Sequence, residues 1–111
     1  MTEVLPPELA RLRDCIDELD REMVATLARR QRLVEAVALV KGDPSRVRDP
    51  ERVEAVLANV LQAAAIAGLS AAIAEPIWRL LVERCADREV VCLSAGPATY
   101  ANACCGCQAE S

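Results

Sequence analysis

Residues 8–41 read ELARLRDCIDELDREMVATLARRQRLVEAVALVK, 34 residues without a glycine or a proline. Apolar side chains recur at Leu9, Leu12, Ile16, Leu19, Met23, Leu27, Val34 and Val37, in steps of three, four or seven. That is the repeat of one face of an α-helix. At about 1.5 Å per residue the helix is roughly 50 Å long. A compact chain of this length is only about 27 Å across, from a radius of gyration of ~13 Å. The helix is therefore too long to be wrapped by its own chain. It calls for a partner, most simply a second copy of itself.

Two cations interrupt the apolar seam. The seven-residue step from Met23 to Val37 passes through Arg30, and the same step from Val34 lands on Lys41. A charge on an apolar stripe is costly unless an anion meets it. Eleven positions separate the two cations, about 20° around the helix axis and roughly 16 Å along it. Long side chains on one face can converge on one anionic ligand across that gap. The alternative is that each snorkels to water at the edge of the seam.

Composition narrows the class. The chain has 111 residues, 53% of them hydrophobic and only 2% aromatic, with a net charge of −4. This is one all-helical domain with a modest core of small side chains. The acidic balance argues against nucleic acid as a partner. No apolar run is long enough to span a membrane, and MTEVLPPEL lacks the basic and apolar pattern of a signal segment. Cytoplasmic location is the resulting expectation. The six cysteines read as thiols in a reducing compartment, because Cys15 and Cys85 lie inside helical patterns. With no histidine in the chain, His-based catalysis and His-containing zinc sites are excluded.

The remaining elements follow from caps and breakers. Leu5-Pro6-Pro7-Glu8 starts the first helix, and Gly42-Asp43-Pro44-Ser45 ends it in a short loop. Asp49-Pro50-Glu51 starts a second helix, with Asp49 as N-cap, and Val53, Val56, Leu57, Val60 and Leu61 give it an apolar face. Gly68 ends it, and Ser70 caps a third helix carrying Ile73, Ile77, Leu80, Leu81 and Val82. Pro76 predicts a late start or a bend there. The third helix is expected to fade near Val91, where VVCL is the only strand-like run and reads equally as a helix end. The organisation expected is a helical domain over 1–91 and a Cys-rich, flexible tail over 92–111. Cys104, Cys105 and Cys107 do not have zinc-ribbon spacing, and no metal is assigned to them.

Arg13 precedes Arg30 by 17 residues, roughly 25 Å along one straight helix and about 100° around it. Within one chain the two cannot serve the same small ligand. If two long helices run antiparallel, Arg13 of one chain approaches the Arg30–Lys41 region of the other, giving two equivalent shared sites. The alternative is a solvated Arg13 paired with Asp17 at i+4. Asp49 and Arg52 open the second helix just after the loop. Asp49 is a good cap whatever the function, and Arg52 fits a surface position equally well. Cys85 and Glu89 are spaced i, i+4 and face one way.

LRDCIDELDREMVATLARRQ, the later VK, RDPERV, and GLSAAIAEPIWRLLVERCADRE together resemble the all-helical class of chorismate mutases, over about residues 8–90. The resemblance implies three-helix chains intertwined as a homodimer with two shared sites. It implies a small dianionic substrate, no cofactor, and isomerase activity from chorismate to prephenate. By position Arg13, supplied from the other chain, matches the family's carboxylate-binding arginine. Arg30, Lys41 and Arg52 match its other cationic positions, and Asp49 matches the acid near the substrate's C4 hydroxyl. Cys85 stands where many members have Ser, and Glu89 where bacterial members often have Gln. Val53 departs from the pattern, since mutases often place there a Glu that also approaches the C4 hydroxyl. The short loop and PERV are similar to the isochorismate-pyruvate lyase relatives, which share the fold and the dianion-binding cations. Asp49 leans towards a C4-substituted substrate, 4-amino-4-deoxychorismate included. A helical dimerisation or regulatory module that binds no dianion is the non-enzyme alternative.

The residue inventory fits that chemistry. The rearrangement is intramolecular and needs no nucleophile, metal or cofactor. Arginines fix two carboxylates by paired, directional hydrogen bonds, and holding the reacting arm over the ring removes much of the entropic barrier. Negative charge grows on the ether oxygen as its bond breaks, and Lys41 and a protonated Glu89 are the expected catalytic groups there. Burial would raise the Glu89 pKa while Lys41 and Arg52 would lower it. The sequence does not rank the two effects.

Overall fold

The computed structural model describes residues 6–95, and all three expected helices are present: α1 (Pro7–Lys41), α2 (Pro50–Ala67) and α3 (Ala71–Ala95). A single 3₁₀ turn, Pro44–Arg46, lies between α1 and α2, and no strand occurs among the described residues. Cys104, Cys105, Cys107 and most of the expected tail lie outside the described residues.

The ends form where the sequence chemistry places them. Pro7 sits at the first turn of α1 with Glu8 against the positive dipole end, and Lys41 completes the last turn. Gly42 closes α1 at φ 74°, its N–H donating to the Ala38 carbonyl at 2.9 Å. Asp49 caps α2 by accepting from the Arg52 N–H at 3.2 Å, with Pro50 in the first turn. At the far end Leu69 N–H reaches the Ala64 carbonyl at 2.8 Å and Gly68 N–H the Ala65 carbonyl at 3.3 Å. This is the paired pattern of a left-handed cap, with Gly68 at φ 84°. Ser70 Oγ accepts from the Ala72 N–H at 3.1 Å and starts α3.

Two details of α3 differ from the expectation. The helix begins before Pro76, at Ala71, rather than late. A proline at this depth frees only the Ala72 carbonyl, in the first turn, and the Ser70 cap holds that turn. At its other end α3 runs through the VVCL segment to Ala95. Cys92 is buried there against α1, its Sγ donating to the Glu35 carbonyl at 3.7 Å.

Packing leaves a large apolar area without cover. α3 packs against both α1 and α2. The buried apolar residues are Ala38 of α1, Val47 of the connection, Leu57 and Ala64 of α2, and Ala74, Ala86 and Cys92 of α3. Most are small, so helices approach closely but interlock little. Beyond this core, Leu12, Ile16, Leu19, Met23 and Val24 are 53–65% exposed along the N-terminal half of α1. Ile73, Ile77 and Leu80 of α3 are also exposed. The chain measures 55 × 34 × 29 Å with a radius of gyration of 17.8 Å, against ~13 Å for a compact chain of this length. No helix among the described residues is long and apolar enough to cross a membrane.

The left-handed cap of α2 gives a direct test. A Cβ at Gly68 meets no atom within 4 Å, so the backbone angle is the only obstacle to a side chain. Gly68→Ala is expected to destabilise by about 1–2 kcal/mol, and Gly68→Asn by less. Urea unfolding midpoints measure both, and an Ala variant as stable as the parent contradicts the assignment.

Candidate active site

The C-terminal half of α1, the 42–49 connection, the start of α2 and the middle turns of α3 form a cavity of about 350 Å³. Arg30, Lys41, Asp49, Arg52, Cys85 and Glu89 all line it. Each helix contributes for a local reason. Arg30 and Lys41 share the α1 face turned towards α3. The cap at Asp49 fixes where α2 begins and so places Arg52 one turn in. Cys85 and Glu89 project from one side of α3 at i, i+4 spacing. Arg13 is not part of this cavity; it is exposed on α1, and no ion pair with Asp17 forms among the described residues.

The contacts within the cavity join α1 to α3. The Arg30 guanidinium donates to Cys85 Sγ at 3.2 Å. Lys41 Nζ donates to the Val47 carbonyl at 3.2 Å and lies 3.5 Å from Glu89 Oε1. The longer separation is an ion pair rather than a tight hydrogen bond, and Glu89 Oε1 is buried with no hydrogen-bond donor. Burial pushes the Glu89 carboxyl above the usual carboxylate range, and the nearby Lys41 charge only partly offsets it. That ranks the two effects left open by the sequence. Asp49 Oδ1 is occupied by its capping bond to Arg52 N–H, and Val53 forms an apolar stretch of wall beside it.

Two residues that the sequence reading did not single out lie at or beside this cavity. Arg48, beside Asp49, lines the mouth and is held by Glu83 at 3.1 Å and Asp87 at 2.8 Å on α3. Glu35 is buried on α1 and accepts from Arg88 Nε at 2.6 Å and Gln31 Nε2 at 3.1 Å. Burial raises the Glu35 pKa, but the bonds from Arg88 and Gln31 and the charges of Arg88 and Arg32 outweigh it and leave the carboxyl below its ordinary value. A second cavity, about 470 Å³, lies on the other flank of Arg30. Val24, Leu27, Leu81, Arg84 and Arg88 help to line it, and Lys41, Asp49 and Glu89 do not.

Four cations, Arg30, Lys41, Arg48 and Arg52, line this cavity with the buried Glu89 carboxyl, Asp49, Glu54 and Glu83, and the cations suit a small anion carrying more than one negative group. The sequence pattern of the family described as Chorismate mutase type II matches residues 12–90, more than half of the chain. The chain belongs to that family. Its members' all-helical character agrees with the three helices described above. No curated protein and no solved structure matches the chain. The matched span begins just before Arg13 and ends just after Glu89, so it contains every candidate residue named from the sequence.

The raised carboxyl of Glu89 makes folding depend on pH in a definite direction. The folded state holds this proton more tightly than the unfolded chain does. The stabilisation from this group is therefore present below the unfolded pKa and is lost as pH rises through the folded one. Glu89→Gln removes that loss. Its urea midpoint relative to the parent is expected to improve as pH rises from the ordinary carboxylate range through the raised folded pKa of Glu89, and to level off above it. A difference that stays constant, or that moves the other way, contradicts the assigned burial.

Proposed function

We propose that the protein is a homodimeric chorismate mutase that rearranges chorismate to prephenate at two sites, each built from both chains. The observation that carries this reading is the convergence of Arg30, Lys41, Arg52 and the buried Glu89 on one cavity. Its volume lies in the range of small-molecule sites, about 300–1,000 Å³. Family membership supplies the reaction class. Two arginines and a lysine meet the two carboxylates and the ether oxygen of a dianion, while Asp49 faces the substituent at C4.

The second chain follows from α1. Residues 8–22 carry six acids against three arginines, whereas residues 29–41 carry four cations against Glu35. Antiparallel pairing sets the acidic half of one α1 on the basic half of the other, which favours that orientation. It also covers Leu12, Ile16, Leu19 and Met23, and fills the second cavity, which shares Val24 and Leu27 with the exposed face of α1. In this arrangement the partner's Arg13 reaches the cavity and adds a further guanidinium.

The mechanism uses position and charge. Holding the enolpyruvyl arm over the ring removes much of the entropic barrier. As the C–O bond lengthens, charge on the ether oxygen is met by the Lys41 ammonium and by the protonated Glu89 carboxyl. An ionised Glu89 only accepts hydrogen bonds and repels that charge.

Purified protein incubated with chorismate is expected to form prephenate; release of pyruvate from isochorismate, with no prephenate, supports the lyase chemistry instead. Arg30→Ala is expected to lower kcat/KM by about 10²–10³ with the fold retained. A dianionic transition-state mimic should raise the Tm of the parent and not of this variant. Equal stabilisation of both makes Arg30 structural. Activity should be highest at acidic pH and fall as pH rises through the Glu89 pKa, and Glu89→Gln should flatten that profile. Parallel profiles for the two proteins contradict the donor role of Glu89.

A further inference from the structure

Glu35 and Glu89 are the two buried charged side chains among the described residues. The proposed mechanism uses only Glu89. A buried carboxylate is costly, and an apolar residue at position 35 would pack against Ala38 and α3 without that cost. Glu35 is nonetheless engaged from three sides: by Arg88 at 2.6 Å, by Gln31 at 3.1 Å, and at its own carbonyl by Cys92 Sγ at 3.7 Å. Two of those three contacts come from α3.

Arg88 and Glu89 are consecutive on α3, about 100° apart around its axis. Each pairs with the opposite charge on α1, Arg88 with Glu35 and Glu89 with Lys41. The two pairs straddle α1 like two pins of opposite sign. Rotating α3 to exchange them would set Arg88 towards Lys41 and Glu89 towards Glu35, both repulsive. Shape alone holds the rotation weakly, because Ala38, Ala86 and Cys92 offer few projecting side chains to interlock.

We infer that Glu35 is a positioning residue for Glu89: its ion pair with Arg88 sets the rotation of α3 that turns the Glu89 carboxyl into the cavity. Glu35 does not touch the cavity itself. Its effect on catalysis rests on the proposed function, whereas its effect on the titration of Glu89 does not. Lys41 of α1 is the charge that acts on Glu89 directly, and Cys92 of α3 also lies within electrostatic reach of it; Arg30 from α1 and Arg48, Asp49, Arg52 and Glu54 from the connection and α2 share its cavity. Glu83 and Cys85 face the same cavity from α3 itself. With the Glu35–Arg88 pair removed, α3 is free to turn Glu89 towards solvent, and the burial that raises its pKa is lost.

The test is the Glu89 titration read by carbon-13 NMR of labelled carboxyls, assigned with Glu89→Gln. The double variant Glu35→Ala/Arg88→Ala removes both charges and leaves no orphan. Glu89 is expected to titrate above the ordinary range in the parent and to fall back into it in the double variant. Glu35→Gln keeps an acceptor for Arg88 but drops the charge, so a smaller fall is expected, and this variant serves if the double one does not fold. An unchanged Glu89 titration in a folded variant overturns the inference, whether or not the protein rearranges chorismate. In the activity assay the double variant should lose about tenfold to a hundredfold in kcat/KM. Added to Glu89→Ala, the same pair of changes should cost little more. Additive losses would show that the pair acts elsewhere.

Discussion

The structure depends on a helix longer than its own chain can cover. α1 extends over 35 residues, but α3 packs only against its C-terminal half. One helix thus does two jobs at its two ends. The C-terminal half forms, with α2 and α3, a cavity lined by four cations and four acids. The N-terminal half offers an apolar stripe and, on the same stretch, the arginine that its own cavity does not receive. In the proposed dimer, assembly and chemistry are one problem, since a second copy covering the stripe would also bring its Arg13 to the cavity.

Within one chain, the site is assembled by helix ends. The Gly42 cap stops α1 at Lys41, and the connection is short enough for Lys41 Nζ to reach the Val47 carbonyl. The Asp49 cap then starts α2 with Arg52 facing the cavity. Because Asp49 serves as both cap and cavity wall, its presence cannot be credited to either role alone. α3 closes the site through charge more than through shape, because the residues it buries are mostly small.

Much of this was legible in the residues. Pro7, Gly42, Asp49, Pro50, Gly68 and Ser70 set the helix ends because each acts locally, through φ or through a side-chain cap. Arg30 and Lys41 stood out because they interrupt an apolar repeat, and the structure brings both to one cavity with Asp49, Arg52, Cys85 and Glu89. The end of α3 was harder to place, since Val90 and Val91 suit a strand or a fading helix equally and only the contact of Cys92 with α1 decides. Glu35 was not legible, because among the many charges of α1 the sequence does not distinguish a buried carboxylate from a solvated one. The direction of the Glu89 shift was open for the same reason: it depends on how deeply three helices bury one side chain.

The central claim is that α1 shares each site between two chains, and subunit mixing tests it most directly. Arg13→Ala and Lys41→Ala are each inactive if both residues serve the site. In a heterodimer of the two, one site carries both lesions and the other carries neither. Refolding equal amounts together is predicted to restore roughly a quarter of the parental activity, one intact site in half of the dimers. No recovery in a sample whose heterodimers are confirmed by mass would contradict the shared site.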